Sequence, residues 1–164
     1  MNTLVSQSTK HLTDIVKDAI LLQSTEHALV IFDTIAPLTK IITEGYRNVF
    51  EKSRNSGPDP NCEFLDFDST TPEEVIQKLR SLKAGDLVVL VQSMNFRLNE
   101  FRIRIELFAR GLKTIEHVHL ARIQEPQFPV YIEALAYEKD FYHTVGHGLK
   151  NRLDTCSKIV VHCS

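Results

Sequence analysis

Residues 86–92 read DLVVLVQ: five consecutive apolar residues held between an aspartate and a glutamine. A run so short, valine-rich and unbroken suits a strand covered on both faces, whereas a strand with one wet face would alternate. Its flanks decide how it is used. Upstream, Thr71-Pro72-Glu73-Glu74 forms a capping box with proline in the first helical turn, where hydroxyl and carboxylate satisfy orphan amides reciprocally. Val75, Ile76, Leu79 and Leu82 give that helix one apolar face, and Gly85 stops it. Downstream, FRLNEFRIRIELFARG (96–111) fits two periods. Phe101, Ile103, Ile105 and Leu107 alternate as in a strand, while Leu98, Phe101, Ile105, Phe108 and Leu112 fit a helix. Length, the stop at Gly111 and a further strand, KTIEHVHL (113–120), just beyond it favour the helix. Strands separated by helices pair in parallel with right-handed crossovers, because a short hairpin cannot join parallel neighbours.

The same alternation extends outward. An amphipathic helix is predicted over about 9–23, from Leu12, Ile15, Val16, Ala19, Ile20 and Leu22. HALVIFD (27–33) is a second buried strand. Pro37 opens a helix striped by Leu38, Ile41, Ile42, Tyr46, Val49 and Phe50, with Gly45 placed for close approach to the sheet. SRNSGPDPN (53–61) is a loop and CEFLDFD (62–68) a strand. Beyond 120, a short helix is predicted near 128–136, a longer one over about 138–154, and a fifth strand at KIVVHC (158–163). The fold class is α/β: a three-layer sandwich around a five-stranded, mainly parallel sheet, wound as in flavodoxin-like or Rossmann-like proteins. Residues 1–164 read as one domain. The last predicted strand ends at the final residues, which suits either an edge strand or the amino-terminal domain of a longer two-domain protein.

Charge is balanced, with 19 basic and 21 acidic residues and a formal charge of −2. No basic block points to nucleic acid. No apolar run has the length to cross a bilayer, and the amino terminus does not read as a secretory signal. Three cysteines without a CxxC pattern argue against a disulfide framework or a zinc ribbon, so a cytoplasmic location is expected.

His143 and His147 in YHTVGHGLK (142–150) share one helical face, as metal-binding helices require. The apolar stripe Phe141, Val145, Leu149, Leu153 is expected to face the core, turning the histidines to water. Two histidines alone are too few for a closed zinc site, and no glutamate follows His143 as HExxH demands. Topology offers a better constellation, since ligands of open parallel sheets bind beyond the carboxyl ends of the strands. Those ends carry Asp33, Asp66, Asp68, Gln92, Ser93, His117, His119 and His162. His117 and His119, two apart on a strand, are expected on one face as an HxH pair. Asp33, Ser93, His117 and His119 are therefore the candidate ligand-binding residues, against the plainer reading that they cap loops where strands meet solvent. No catalytic residue and no metal ligand set is legible.

GxGxxG, GxxxxGK[ST] and GxSxG are all missing, which removes the usual phosphate cradles and the hydrolase nucleophile elbow. Adjacent strand residues His162 and Cys163 point to opposite faces and make a poor thiolate pair. Arg102, Glu106 and Arg110, spaced by four, read as a mutually compensating solvated face.

Three stretches together resemble the amino-terminal domain of the thermophilic-type metallo-aminopeptidases, the aminopeptidase T and S family with its leucyl aminopeptidase-like relatives. HALVIFDTIAPLTKIITEGYRNVFEK (27–52) looks like the family's first strand and helix. LKAGDLVVLVQSMNFRLNEFRIRIELFARGLKTIEH (82–117) resembles its central strand–helix–strand. YEKDFYHTVGHGLKNRLDTCSKIVVHCS (137–164) is similar to the helix and strand leading to its second domain. The resemblance implies a peptide hydrolase whose divalent metal ions bind in a downstream catalytic domain. That domain would be the partner in cis, and a homodimer is possible. No position here matches the family's metal ligands, so none is carried over and no cofactor is assigned to this chain. It would supply scaffold, substrate-cleft wall or dimer contacts. The alternative is a free-standing small-ligand or metal-binding domain using the strand ends.

Overall fold

The computed structural model of the chain describes residues 2–54, 62–98 and 100–162. Helix α1 (Asn2–Asp14) runs into a π-helical turn, Ile15–Ala19, and leads to β1 (Ala28–Phe32). Then follow α2 (Pro37–Arg54), β2 (Cys62–Asp66), α3 (Pro72–Ser81), β3 (Leu87–Val91), α4 (Ile103–Ala109) and β4 (Lys113–His117). Single 3-10 turns at Leu120–Arg122 and Glu125–Gln127 precede α5 (Phe128–Glu133). The chain ends in α6 (Lys139–Phe141), a π-helical stretch Tyr142–Gly146 and α7 (His147–Thr155).

The four strands form one parallel sheet in the order β2-β1-β3-β4, with Ala28 level with both Cys62 and Leu87, and Leu87 level with Lys113. Burial on both faces explains the unbroken apolar runs of β1 and β3. Ala28, Val30, Phe32, Leu87, Val89 and Val91 face one layer, made by α1, α2 and α5. Leu29, Ile31, Val88 and Leu90 face the other, made by α3 and α4. The sandwich therefore has three layers, as expected. Thr71 closes the predicted capping box: its Oγ1 accepts from Glu74 N at 3.3 Å while its own N donates to Glu74 Oε2 at 2.9 Å.

Among the described residues the fifth strand does not form. Residues 157–162 pair with no strand, and Ile159, Val160 and Val161 are exposed. The handedness of the crossovers gives the reason. Steps from β2 to β3 and from β3 to β4 move in one direction across the sheet, through α3 and α4; the step from β1 to β2 moves the other way, through α2 on the opposite face. A parallel strand beyond β4 would need its right-handed crossover on the α3/α4 face. Phe128 and Ile132 of α5 instead lock into the α1/α2 core, which commits the chain to the wrong face. The carboxyl-terminal helix is corrected with it: Phe141, Val145, Leu149 and Leu153 do not face the core, and every described residue from 138 to 162 is exposed.

Other boundaries shift for local reasons. The first helix starts at Asn2 and its regular part ends at Asp14, earlier than its apolar spacing suggests. α4 occupies only the end of 96–111, because Leu98 and Phe101 pair in an isolated bridge before it. Gly45 meets α1 and not the sheet; a Cβ there would lie 2.6 Å from Ser8 Oγ and 2.9 Å from Leu12 Cδ1. The 53–61 loop falls mainly outside the described residues, as does Cys163.

Candidate functional site

The crest of the sheet lies where β1 and β3 end and the chain departs to opposite faces, the usual crevice for a ligand in such sheets. Here the crevice is bridged by the protein itself. Asp33, just past β1, accepts at Oδ2 from Ser93 N (2.6 Å) and at Oδ1 from Ser93 Oγ and Ile35 N (3.2 Å). Ser93 Oγ accepts in turn from Ala36 N at 3.1 Å. Asp33 and Ser93 are 2% and 0% exposed. A buried carboxylate needs several donors, and this one receives them from the loop that would otherwise admit a ligand. On the far side, Gln92 accepts Phe96 N at its Oε1 (2.7 Å), and the carbonyls of Gln92 and Ser93 accept Leu120 N and Ala121 N.

His117, at the end of β4, is 3% exposed and engaged at both ring nitrogens: Nε2 lies 2.9 Å from Tyr46 Oη on α2, and Nδ1 lies 2.8 Å from Tyr131 Oη on α5. A neutral imidazole has one donor and one acceptor, so one tyrosine accepts from the ring and the other donates to it. Burial lowers the imidazole to about 4, pushes Tyr131 up to about 12 and raises Tyr46 well above its ordinary value. At neutral pH the trio is uncharged and ties β4 to two helices of one layer, α2 and α5.

The expected HxH pair is not built. β4 ends at His117, and His119 takes a left-handed backbone (φ 59°, ψ 31°) that opens the turn Leu120–Arg122. Its Nδ1 is buried with no hydrogen-bond partner among the described residues. Asp66 organises its own turn, accepting Asp68 N at 3.0 Å. Burial, then the neighbouring Asp33 and Asp66 carboxylates, raise the Asp68 carboxyl. His143 and His147 do share one side of their helix, with ring centroids 4.7 Å apart. His162 is exposed beyond α7, far along the chain from the strand ends.

Two residues with defined work escaped the sequence reading. Tyr46 was legible only as part of an apolar stripe, and Tyr131 only as part of a short helix; the available signal was that a buried tyrosine hydroxyl demands a partner. Arg110 is not part of a solvated face: Nη1 donates to Leu79 O (2.6 Å) and Nη2 to Arg80 O (2.8 Å) and Leu82 O (2.6 Å), closing the end of α3. Its neighbour Arg104 pairs with Glu116 of β4.

Asp33 and His117 keep no donor atom free for a divalent metal: His117 has no free nitrogen and the Asp33 carboxylate is taken up by backbone and hydroxyl donors. No group of three histidine, cysteine or acidic residues is placed to hold a metal among the described residues. No described helix is long and apolar enough to cross a membrane. Comparison with family models, curated proteins and solved structures finds no match for this chain.

Proposed function

We propose that this chain is an architectural α/β domain of the kind that leads the thermophilic-type metallo-aminopeptidases, contributing scaffold, substrate-cleft wall or dimer contacts to a peptide hydrolase. On this reading the divalent metal ions and their ligands belong to a downstream domain, and the setting is cytoplasmic. The observation that supports it is the inward engagement of the crest: Asp33, Ser93 and His117 are hydrogen-bonded to Ile35, Ala36, Tyr46 and Tyr131, which leaves them structural work. The test is an aminopeptidase assay of the full chain on aminoacyl anilides with zinc, manganese or cobalt added. Absence of turnover above the metal blank is the expected result, and metal-dependent release of amino-terminal residues overturns the proposal.

One observation favours the second reading, a small-ligand site at the strand ends: the buried, unpartnered Nδ1 of His119. Stoichiometric zinc binding by the full chain, lost in His119→Ala, would establish it.

A further inference from the structure

The carboxyl-terminal arm is an apolar surface that no described residue of the domain covers. α6, the π-helical stretch and α7 form one rod from Lys139 to Thr155, about 25 Å long at the helical rise. Among the described residues it is anchored at its base, where Lys139 Nζ meets Asp18 at 3.3 Å and Tyr137 stacks on Tyr142. Phe141, Val145, Leu149 and Leu153 repeat every four residues along it and are each about half exposed. The β-branched stretch Ile159-Val160-Val161 follows, exposed as well. Gly146 and Gly148 sit mid-rod with nothing within 4 Å of where a Cβ would be, so no contact among the described residues accounts for their cost to the helix.

The domain carries a complementary vacancy. β4 is an edge strand. Lys113 N and His117 O bond to the β3 side, so by the alternation of a parallel ladder the backbone groups of Thr114 and Glu116 turn to the open edge. Beside that edge lies a groove of about 380 Å³ whose apolar wall includes Phe96, Phe101 and Ile105 and whose polar wall includes Arg97, Arg104 and Glu116. Ile105 stands exposed there, and Phe108 stands exposed elsewhere on α4.

We propose that the arm of one copy covers the β4 edge and α4 groove of a second copy, in a reciprocal two-fold exchange. Three arguments select a second copy. Crossover handedness keeps the arm from completing its own sheet beyond β4, and a strand added from another chain carries no such constraint. The apolar arm residues expose on the order of 800 Å², what each partner gives to an interface of standard size. Donor and acceptor surfaces occur on the same chain, so a two-fold pairing uses each twice and leaves neither bare. The inference deepens the architectural reading above and rests on it, by naming the dimer contact.

Sedimentation of the full chain between about 1 and 100 μM tests it. The wild type should be a dimer, and Val160→Pro on the arm and Ile105→Asp on the groove should each weaken association at least tenfold. Both side chains are exposed, so neither change threatens the fold, which circular dichroism verifies. Mixing the two variants should restore a heterodimer, because one intact arm then meets one intact groove. A wild type that stays monomeric overturns the exchange, as does a dimer indifferent to both variants or a mixture that fails to pair. An inert monomer would remove this inference and leave the architectural reading standing; metal-dependent peptide cleavage would remove that reading whatever the measured mass.

Discussion

Replacing His117 by glutamine should flatten the acid side of the protein's stability profile. Burial holds the imidazole at about 4, against an ordinary 6.5. Between those values the unfolded chain takes up a proton that the native state refuses. The contribution of neutral His117 is thus complete above about pH 6.5, and it declines as pH falls until the native imidazole itself protonates near 4. At about 1.4 kcal/mol per pH unit the whole effect is roughly 3 kcal/mol, most of it spent by pH 4.5. His117 is only 3% exposed, so solvent does little to screen it. Glutamine keeps a donor and an acceptor for Tyr46 and Tyr131 but does not titrate. Urea unfolding at pH 7.0 and 4.5 measures the difference. The wild type should lose about 2–3 kcal/mol more than His117→Gln over that interval, the other titrating groups cancelling between the two proteins. Equal losses would mean that the imidazole is solvated or already protonated, and the buried trio would be wrong.

Other perturbations probe the remaining contacts. Tyr46→Phe leaves a buried imidazole nitrogen without its partner and should cost about 1–3 kcal/mol, with the denaturant slope unchanged; Tyr131→Phe, nearer solvent, should cost less because water can substitute. Ser93→Ala strips Asp33 of one donor and Ala36 N of its acceptor, and should lower the urea midpoint by an amount equivalent to about 1–3 kcal/mol. Gly45→Ala should destabilise by about 1–3 kcal/mol through its clash with Ser8 and Leu12, and Ser8→Ala in the same chain should recover part of that loss, a coupling that a double-mutant cycle reads directly.

The layers were legible because burial on both faces writes itself as runs such as LVVLV, and because the Thr71–Glu74 box marks a helix start in local chemistry alone. What was not legible depends on which face the chain visits. KIVVHC has every local property of a strand, yet α5 had already carried the chain to the α1/α2 side, and no periodicity records that choice. The stripe Phe141-Val145-Leu149-Leu153 likewise states that a helix has an apolar face without saying what covers it. At the crest, topology pointed to Asp33, Ser93 and His117 correctly as residues of the strand ends. Whether their polar atoms turn outward or inward is decided by Ile35, Ala36, Tyr46 and Tyr131, contributed from three other segments. His119 left the strand through a left-handed backbone uncommon outside glycine, which spacing along a strand cannot foresee.

The claim that the crest is closed by its own side chains is tested most directly by nitrogen-15 NMR of the histidine rings in the full chain, before and after an equivalent of zinc. His117 should show one protonated and one unprotonated nitrogen from pH 5.5 to 8, and neither signal should move when zinc is added. A metal-induced shift at His117, removed by His117→Gln, would place an open ligand site where the account puts a finished hydrogen-bond network.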